Sequence, residues 1–222
     1  MDVEIRTLLE TELRASFETV ETAFGERLGD EFFEFHRPFV EIDRTLGAFD
    51  GETLVGSASA ISYAMTVPGG ELPAAGITGV GVLPSHRRRG VNTALMRAQL
   101  DDSRHRGEAA AVLYASQGGI YGRYGYGIAA FNAAIDLETL RSAFGPWYAP
   151  SGRVRMVDRD EAVRRFLPVY DEIRRSRPGM MRLDERTFGY VLDDRFRHDG
   201  KPRPGFYAAH ETDGAIDGYV QY

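Results

Sequence analysis

The stretch Val80-Gly-Val-Leu-Pro-Ser-His-Arg-Arg-Arg-Gly-Val-Asn92 decides the fold of this 222-residue chain. The β-branched run that leads into it predicts a strand over 77–82. From Gly90 onward, apolar residues recur on one side of a helix that Gly107 ends. Residues 109–114 then read as a buried strand. A strand, a helix and a second strand in this order predict a crossover between two parallel strands.

The residues around this crossover predict further helices and antiparallel strands. Helices are predicted over 11–24 and 28–40, and strands over 45–49, 54–67 and 128–137. Asp50-Gly51 is a strong hairpin signal between the first two of these strands. Together these elements predict an α+β fold with an α/β mixed sheet, in which parallel and antiparallel strands occur together with helices.

Glycine and proline between 138 and 152 predict a linker between two domains, 1–137 and 153–222. In the second domain, a strand is predicted over 154–157, a helix over 160–175, and two strands within 205–222. The chain ends at Tyr222 in the middle of a predicted strand. The sequence is therefore interpreted as a fragment whose second domain is incomplete.

Composition excludes several classes of protein. The chain has no cysteine, so it can form no disulfide, thiolate zinc site or cysteine nucleophile. No apolar run approaches the ~20 residues that span a bilayer, and acidic residues near the N-terminus argue against a signal peptide. The chain is interpreted as cytoplasmic and not membrane-bound. A net charge of −6 favours cationic partners such as amines over nucleic acid.

The basic turn predicts an anion site. A helix N-terminus leaves its first N–H groups unpaired and carries partial positive charge, which suits a phosphate or pyrophosphate. Gly90 permits close approach of the backbone to the ligand. Arg87, Arg88 and Arg89 add positive charge and can bind a phosphate with paired hydrogen bonds. The alternative is a solvated basic helix start. His86 could contact phosphate or serve only as a cap.

Residues 87–92 resemble motif A of the GNAT superfamily, [Q/R]-x-x-G-x-[G/A]. The resemblance implies that the pyrophosphate of acetyl-CoA binds at the three arginines, Gly90, Val91 and Asn92. Asn92 departs from the pattern, which usually has a small residue there. In this superfamily the pantetheine arm pairs with backbone amides of the preceding strand, which assigns Val80 and Val82. One of these amides would also bind the oxyanion of the tetrahedral intermediate. The alternative for both valines is a core position.

A second motif narrows the family. Residues 116–127, SQGGIYGRYGYG, resemble the E-G-G-I-Y-G-R-[FY]-G-Y-G segment of the Eis-like acetyltransferases, with Gln117 in place of glutamate. Residues 154–161 resemble the start of that family's second domain. The family has a GNAT domain, a second GNAT-like domain and a sterol-carrier-like domain, and its members often form hexamers. Homo-oligomerisation of the intact protein is therefore expected.

The resemblance assigns Tyr121 as the general acid that protonates the departing coenzyme A thiolate. A free phenol with a pKa of about 10 remains protonated at neutral pH and can serve this role. The residues alone do not distinguish Tyr121 from Tyr124 or Tyr126. Ser116, where the motif begins, is added to the predicted cofactor-binding residues.

The general base is not identified in this sequence. In the Eis-like family that role belongs to the carboxylate at the protein's own C-terminus, and Tyr222 is not that residue. Glu26 is a candidate for orienting a cationic substrate, with plain surface charge as its alternative. The histidines have no metal-ligand spacing, so no metal is expected.

The sequence therefore predicts an N-acetyltransferase that moves acetyl from acetyl-CoA to a primary amine by direct attack. The resemblance implies an aminoglycoside, a polyamine or a lysine side chain, which makes the acceptor a small-molecule or peptide amine. The alternative from a different class is a non-catalytic coenzyme A-binding module or an inactive fragment. Nucleic-acid binding through the arginines is the third and least favoured interpretation, because the chain is acidic.

Overall fold

The computed structural model describes residues 3–131, 138, 140, 142–149, 151–193 and 205–222. The chain divides into two compact units. The first is Met1–Gly127 with Met180–Arg182, and the second is Ile128–Gly179 with Leu183–Tyr222. The predicted linker over 138–152 belongs to the second unit, and its role as a domain boundary stays a prediction.

The first unit contains a five-stranded sheet in the order β1-β2-β3-β4-β5. Its strands are β1 (Glu4–Thr7), β2 (Thr45–Asp50), β3 (Thr53–Val67), β4 (Gly70–Val82) and β5 (Ala110–Leu113). Neighbouring strands are antiparallel except β4 and β5, which are parallel. The mixed sheet and the crossover predicted from the sequence are confirmed.

The helices of the first unit are α1 (Leu13–Phe24), α2 (Asp30–His36) and α3 (Val91–His105). Helix α3 joins the two parallel strands. On β4, Gly81 faces α1, whereas the neighbouring Val80 and Val82 pack against the cluster that contains Leu95 of α3. Because successive strand residues point to opposite faces, α1 and α3 cover opposite sides of the sheet.

Strand β4 is longer than the sequence predicts. It begins at Gly70, whereas the β-branched pattern starts only at Ile77. The missed part contains Pro73, two alanines and Gly76, which have low strand propensity, but it pairs continuously with residues 61–67 of β3. Strand pairing, not local propensity, therefore sets where β4 begins. Residues 128–131 have no regular structure, and the rest of the strand predicted over 128–137 lies outside the described residues.

A short segment, Met180–Arg182, adds to the sheet of the first unit. Pairing of β2 with β3 ends at Thr45 and Ser59, which leaves the far half of β3 with an open edge. There Met181 bridges Met65, and the amide of Arg182 donates to the Ala64 carbonyl at 2.8 Å. The open edge is thus covered by a segment that is remote in sequence.

A buried ion pair joins the residue before β2 to a residue two positions before β5. The Arg44 side chain is fully enclosed and donates to both carboxylate oxygens of Glu108, each at 2.6 Å. It also donates to the Ser62 hydroxyl at 2.7 Å, and its Nε lies 3.9 Å from a carboxylate oxygen of Asp102. A guanidinium in this position depends on its bidentate partner, because an unpaired buried charge is strongly unfavourable.

The second unit is a three-stranded antiparallel sheet with helices on one face. Its elements are β6 (Arg153–Val157), α4 (Arg159–Arg175), α5 (Glu185–Val191), β7 (Tyr207–Thr212) and β8 (Ala215–Gln221). In its core, the Phe166 ring stacks on Tyr219 at 4.5 Å, and the Tyr207 hydroxyl donates to the Leu192 carbonyl. The predicted strand, helix and final hairpin are present, and α5 is an addition that sequence reasoning missed.

Candidate active site

Strand β4 extends beyond the end of its parallel neighbour β5. β4 pairs with β5 from Ala74–Ala110 to Ile77–Leu113, and β4 then continues to Val82. In the described part of the chain, residues 78–82 have no strand partner on that side. Their backbone N–H and C=O groups on the β5 side are not used in strand pairing. They are therefore available to hydrogen-bond an extended ligand.

A β-bulge lies in this open section. Ser57 of β3 stands opposite Gly81, and Ser59 stands opposite Thr78, so β4 has one more residue than β3 over this interval. Gly79 supplies the extra residue and has a φ of 57°, a conformation that glycine adopts without strain. A bulge bends its strand and turns the next backbone groups, here those of Val80, out of regular pairing.

Close contact with α1 fixes the residue between the two predicted valines. A Cβ on Gly81 would lie 3.0 Å from the Val20 Cα and 3.2 Å from the Ala23 Cβ. The last turns of α1 therefore rest directly on the open part of β4. The side chains of Val80 and Val82 pack toward α3, so any contact that they make with a ligand must use the backbone.

The basic turn leads into α3 without a side-chain cap. Gly90 is the N-cap residue, with a φ of 84°, and the space around its missing Cβ is open. No side chain therefore covers the start of α3 at Gly90, and the positive end of the helix dipole is not neutralised by an acidic residue in the first turn. This geometry suits a diphosphate, as the sequence predicts.

The predicted arginines differ in their surroundings. The Arg87 guanidinium donates to the carbonyl of Ala23 at the end of α1 and is 3.5 Å from that of Val82. Arg87 thus braces the turn against α1 in addition to its predicted role. Arg88 has a φ of 62° and is exposed, and Arg89 is also exposed.

The other residues of this turn are also fixed by contacts. The Val91 side chain is 2% exposed and belongs to the core, so only its backbone can serve a ligand. The ring of His86 lies between Ser85 and Asp50, with Nδ1 2.9 Å from the serine hydroxyl and Nε2 3.3 Å from the carboxylate. This histidine therefore joins the turn to the β2–β3 hairpin.

The glycine-rich segment that follows β5 is bound to the start of α3. The Asn92 side chain donates to the Tyr124 hydroxyl at 3.3 Å, and that hydroxyl lies 3.0 Å from Oγ1 of Thr93. The second sequence motif is thereby brought to the first. Ser116, at the beginning of this segment, is exposed.

Tyr121 is the most enclosed tyrosine of the motif. It is 8% exposed and packs with Ala60, Ala75, Ile77 and Met96. Burial, followed by the charge of Tyr124, raises the pKa of its phenol. The side chain thus remains protonated at neutral pH, as a proton donor must, although burial also makes it a weaker acid.

Sequence reasoning missed Glu21. This residue is partly buried in the last turns of α1, and its pKa is raised first by burial and then by the charge of Glu26. Glu26, the predicted candidate, is exposed. The signal in the sequence was a second carboxylate, that of Glu21, five residues before Glu26 and close to the end of the helix.

The described ranges contain no group of three His, Cys, Asp or Glu side chains that could hold a metal ion. Within the same ranges, no helix has both the length and the apolar character needed to cross a membrane.

An open stretch of β4 beside an uncapped, basic helix start is the arrangement that the resemblance to motif A implies for an acyl-CoA N-acyltransferase fold. Residues 4–129 match the family model described as an acetyltransferase (GNAT) domain. The chain belongs to the GNAT family of acetyltransferases.

Individual relatives place the chain more narrowly. It is 40% identical over its full length to an uncharacterized N-acetyltransferase of Streptomyces avermitilis, of which it covers 55%. It is 31% identical over its full length to N-acetyltransferase Eis of Mycobacterium tuberculosis, of which it covers 56%. The crystal structure of Eis1 from Mycobacterium abscessus matches 99% of the chain with a TM-score of 0.74 and 30% identity, over 53% of the Eis1 chain.

The Eis-like resemblance is thus confirmed, and the structural match extends over both units. The chain spans about half the length of the curated relatives that it matches.

Proposed function

We propose that this chain binds acetyl-CoA and transfers its acetyl group to a primary amine by direct attack. The observation that carries the proposal is the part of β4 that continues beyond the end of β5 after Ile77, directly before the uncapped start of α3. An extended arm can pair with the open edge of β4 while its diphosphate binds the first amides of the helix. Membership of an acetyltransferase family supports this assignment of the two surfaces.

In the proposed reaction, the amine nitrogen attacks the thioester carbonyl carbon and forms the C–N bond of a tetrahedral intermediate, whose collapse then breaks the C–S bond. A backbone amide near the Val80 bulge stabilises the oxyanion, since its direction is already fixed before reaction. The departing thiolate accepts the hydroxyl proton of Tyr121. No covalent enzyme intermediate forms, and the amine gives its own protons to a base that we do not assign to this chain.

The proposed acceptor is a cationic small molecule or peptide, such as an aminoglycoside, a polyamine or a lysine side chain. The net charge of −6 and the two carboxylates at the end of α1 support a cationic acceptor. Glu21 lies in the part of α1 that rests on open β4, between Val20 and Ala23, and Glu26 follows the end of that helix. For the complete protein we further propose a cytoplasmic homo-oligomer, a hexamer by analogy with its family.

Acetyl-transfer assays with neomycin, spermidine and a lysine peptide test this function. The expected result is release of free coenzyme A that depends on one of these amines. Binding of acetyl-CoA without turnover on any of them would favour the non-catalytic module instead. The same assays on the complete protein separate an inactive fragment from an inactive protein.

A further inference from the structure

Tyr126 has an unusual environment for a tyrosine. Its hydroxyl oxygen is buried and has no hydrogen-bond partner in the described part of the chain. Leaving a buried hydroxyl unpaired costs about 1–3 kcal/mol, which phenylalanine at this position would avoid. The ring alone would fill the same space, so the presence of the oxygen calls for an explanation.

Its neighbour is the proposed acid. The rings of Tyr121 and Tyr126 meet edge to face, with centroids 5.9 Å apart and planes at 73°. Both pack against the cluster that contains Ile77 and Met96. The titratable groups that act on this pair are the two phenols themselves and Tyr124, over whose ring Arg123 lies at 5.8 Å.

Tyr121 needs help to act as an acid. Burial raises the pKa of its phenol above the ordinary value of 10.0. A thiol such as that of coenzyme A has a pKa of about 8.5, so the transfer of a proton from the phenol to the thiolate is unfavourable. A hydrogen bond donated to the phenolate as it forms would offset this mismatch, because such a bond to a charged oxygen is stronger than one between neutral groups.

We propose that Tyr126 is a positioning residue for Tyr121. The Tyr126 hydroxyl donates a hydrogen bond to the Tyr121 oxygen when that oxygen becomes negatively charged. The Tyr121 proton moves to the thiolate, the Tyr126 proton stays on its own oxygen, and the negative charge left on Tyr121 is shared through the new hydrogen bond. The inference rests on the proposed function, which gives Tyr121 the role of acid.

Tyr126 keeps its proton under the conditions in which it must donate. Burial and the charge of Tyr121 raise the pKa of Tyr126 to about 12. An ionised Tyr121 therefore makes Tyr126 hold its own proton more firmly, so Tyr126 remains a neutral donor beside it.

A pH titration of the tyrosines in the unliganded chain, observed by NMR of ¹³Cζ-labelled tyrosine, tests the inference independently of activity. Removal of the donor in Tyr126→Phe should raise the pKa of Tyr121. The matched control is Tyr124→Phe, which should not raise it, because the charge of Tyr124 itself raises the Tyr121 pKa. An unchanged or lowered Tyr121 pKa in Tyr126→Phe, or an equal rise in both variants, would overturn the inference.

Kinetics then link the contact to turnover. Tyr126→Phe should lower kcat by roughly threefold to tenfold, the equivalent of one hydrogen bond, with the KM for acetyl-CoA unchanged. In a Tyr121→Phe background the second substitution should have no further effect. An equal loss in both backgrounds would contradict an action through Tyr121. If Tyr121→Phe itself leaves turnover unchanged, the proposed acid fails, whereas the titration still decides whether the two phenols interact.

Discussion

The side chain of Asn92 donates a hydrogen bond to the hydroxyl of Tyr124, 32 residues further along the chain, at 3.3 Å. Asn92 is the residue that departs from the small residue usual in motif A. Its side-chain amide bonds to Tyr124, which occupies a position where the second motif has either Phe or Tyr. Oγ1 of Thr93 lies 3.0 Å from the same hydroxyl. The departure therefore fits a contact between the two motifs.

This contact should be measurable as a coupling free energy. Asn92→Ala and Tyr124→Phe each remove it, so their effects on the free energy of unfolding should be less than additive by about 0.5–1.5 kcal/mol. Urea denaturation of the two single variants and the double variant measures the difference. Additive effects would show that the contact contributes nothing to stability.

Tyr121→Phe should reduce turnover at least tenfold and leave acetyl-CoA affinity nearly unchanged, because only the proton donor is lost. Steady-state kinetics with calorimetric binding separate the two quantities. Tyr63→Phe is a suitable control, since Tyr63 is also a partly buried phenol with a raised pKa but lies outside the motif. Normal turnover in Tyr121→Phe would remove the residue from the mechanism.

Gly90→Glu should abolish acetyl-CoA binding, because a carboxylate would occupy the space assigned to the diphosphate. Gly107→Glu at the other end of α3 is the control. Both glycines have positive φ, 84° and 76°, with open space around the missing Cβ, so the backbone strain is similar. Calorimetry should show lost affinity only for Gly90→Glu. Equal losses in the two variants would mean that strain, not the ligand site, is responsible.

Glu108→Gln should destabilise the chain by about 3–5 kcal/mol, because it leaves the enclosed Arg44 charge without its partner. Glu18→Gln is the matched control, since its ion pair with Arg14 is exposed and should contribute at most about 0.5 kcal/mol. Chemical denaturation at neutral pH measures both. Similar small effects would indicate that Arg44 is not dependent on Glu108.

Glu21→Gln should change how stability varies with pH. The Glu21 pKa is raised above 4.5 in the folded chain, so its stabilising effect is complete below that pH and is lost as pH rises through the folded value. The Gln variant should therefore be more stable than the parent at pH 7, and the gain should disappear near pH 4. Thermal unfolding across this range is the measurement. A constant difference in Tm would contradict the assigned burial and repulsion from Glu26.

Local sequence patterns predict the bounds of a helix or strand well where those bounds depend on the residues of the element itself. The positions of α3 and β5 and the turn at Gly90 follow from periodicity and glycine. The start of β4 at Gly70 does not, because it is set by pairing with β3. Helix α5 was missed because it is short, and its clearest local signal is the Asp184 side chain that caps it.

The candidate site shows the same division. The motifs predict which residues take part, including Tyr121 and the amides after Gly90. They do not predict that Arg87 braces α1, that Glu21 is partly buried or that the Tyr126 hydroxyl lacks a partner. Each of these depends on contacts between segments that are distant in sequence.

The most direct test of the account is an NMR titration of the chain with acetyl-CoA, followed through the backbone amides. We expect the largest shifts at residues 80–92, where β4 is open and α3 begins, and at the neighbouring Tyr121. Saturation without any change at residues 80–92 would contradict the assignment of this strand and helix start as the acetyl-CoA site.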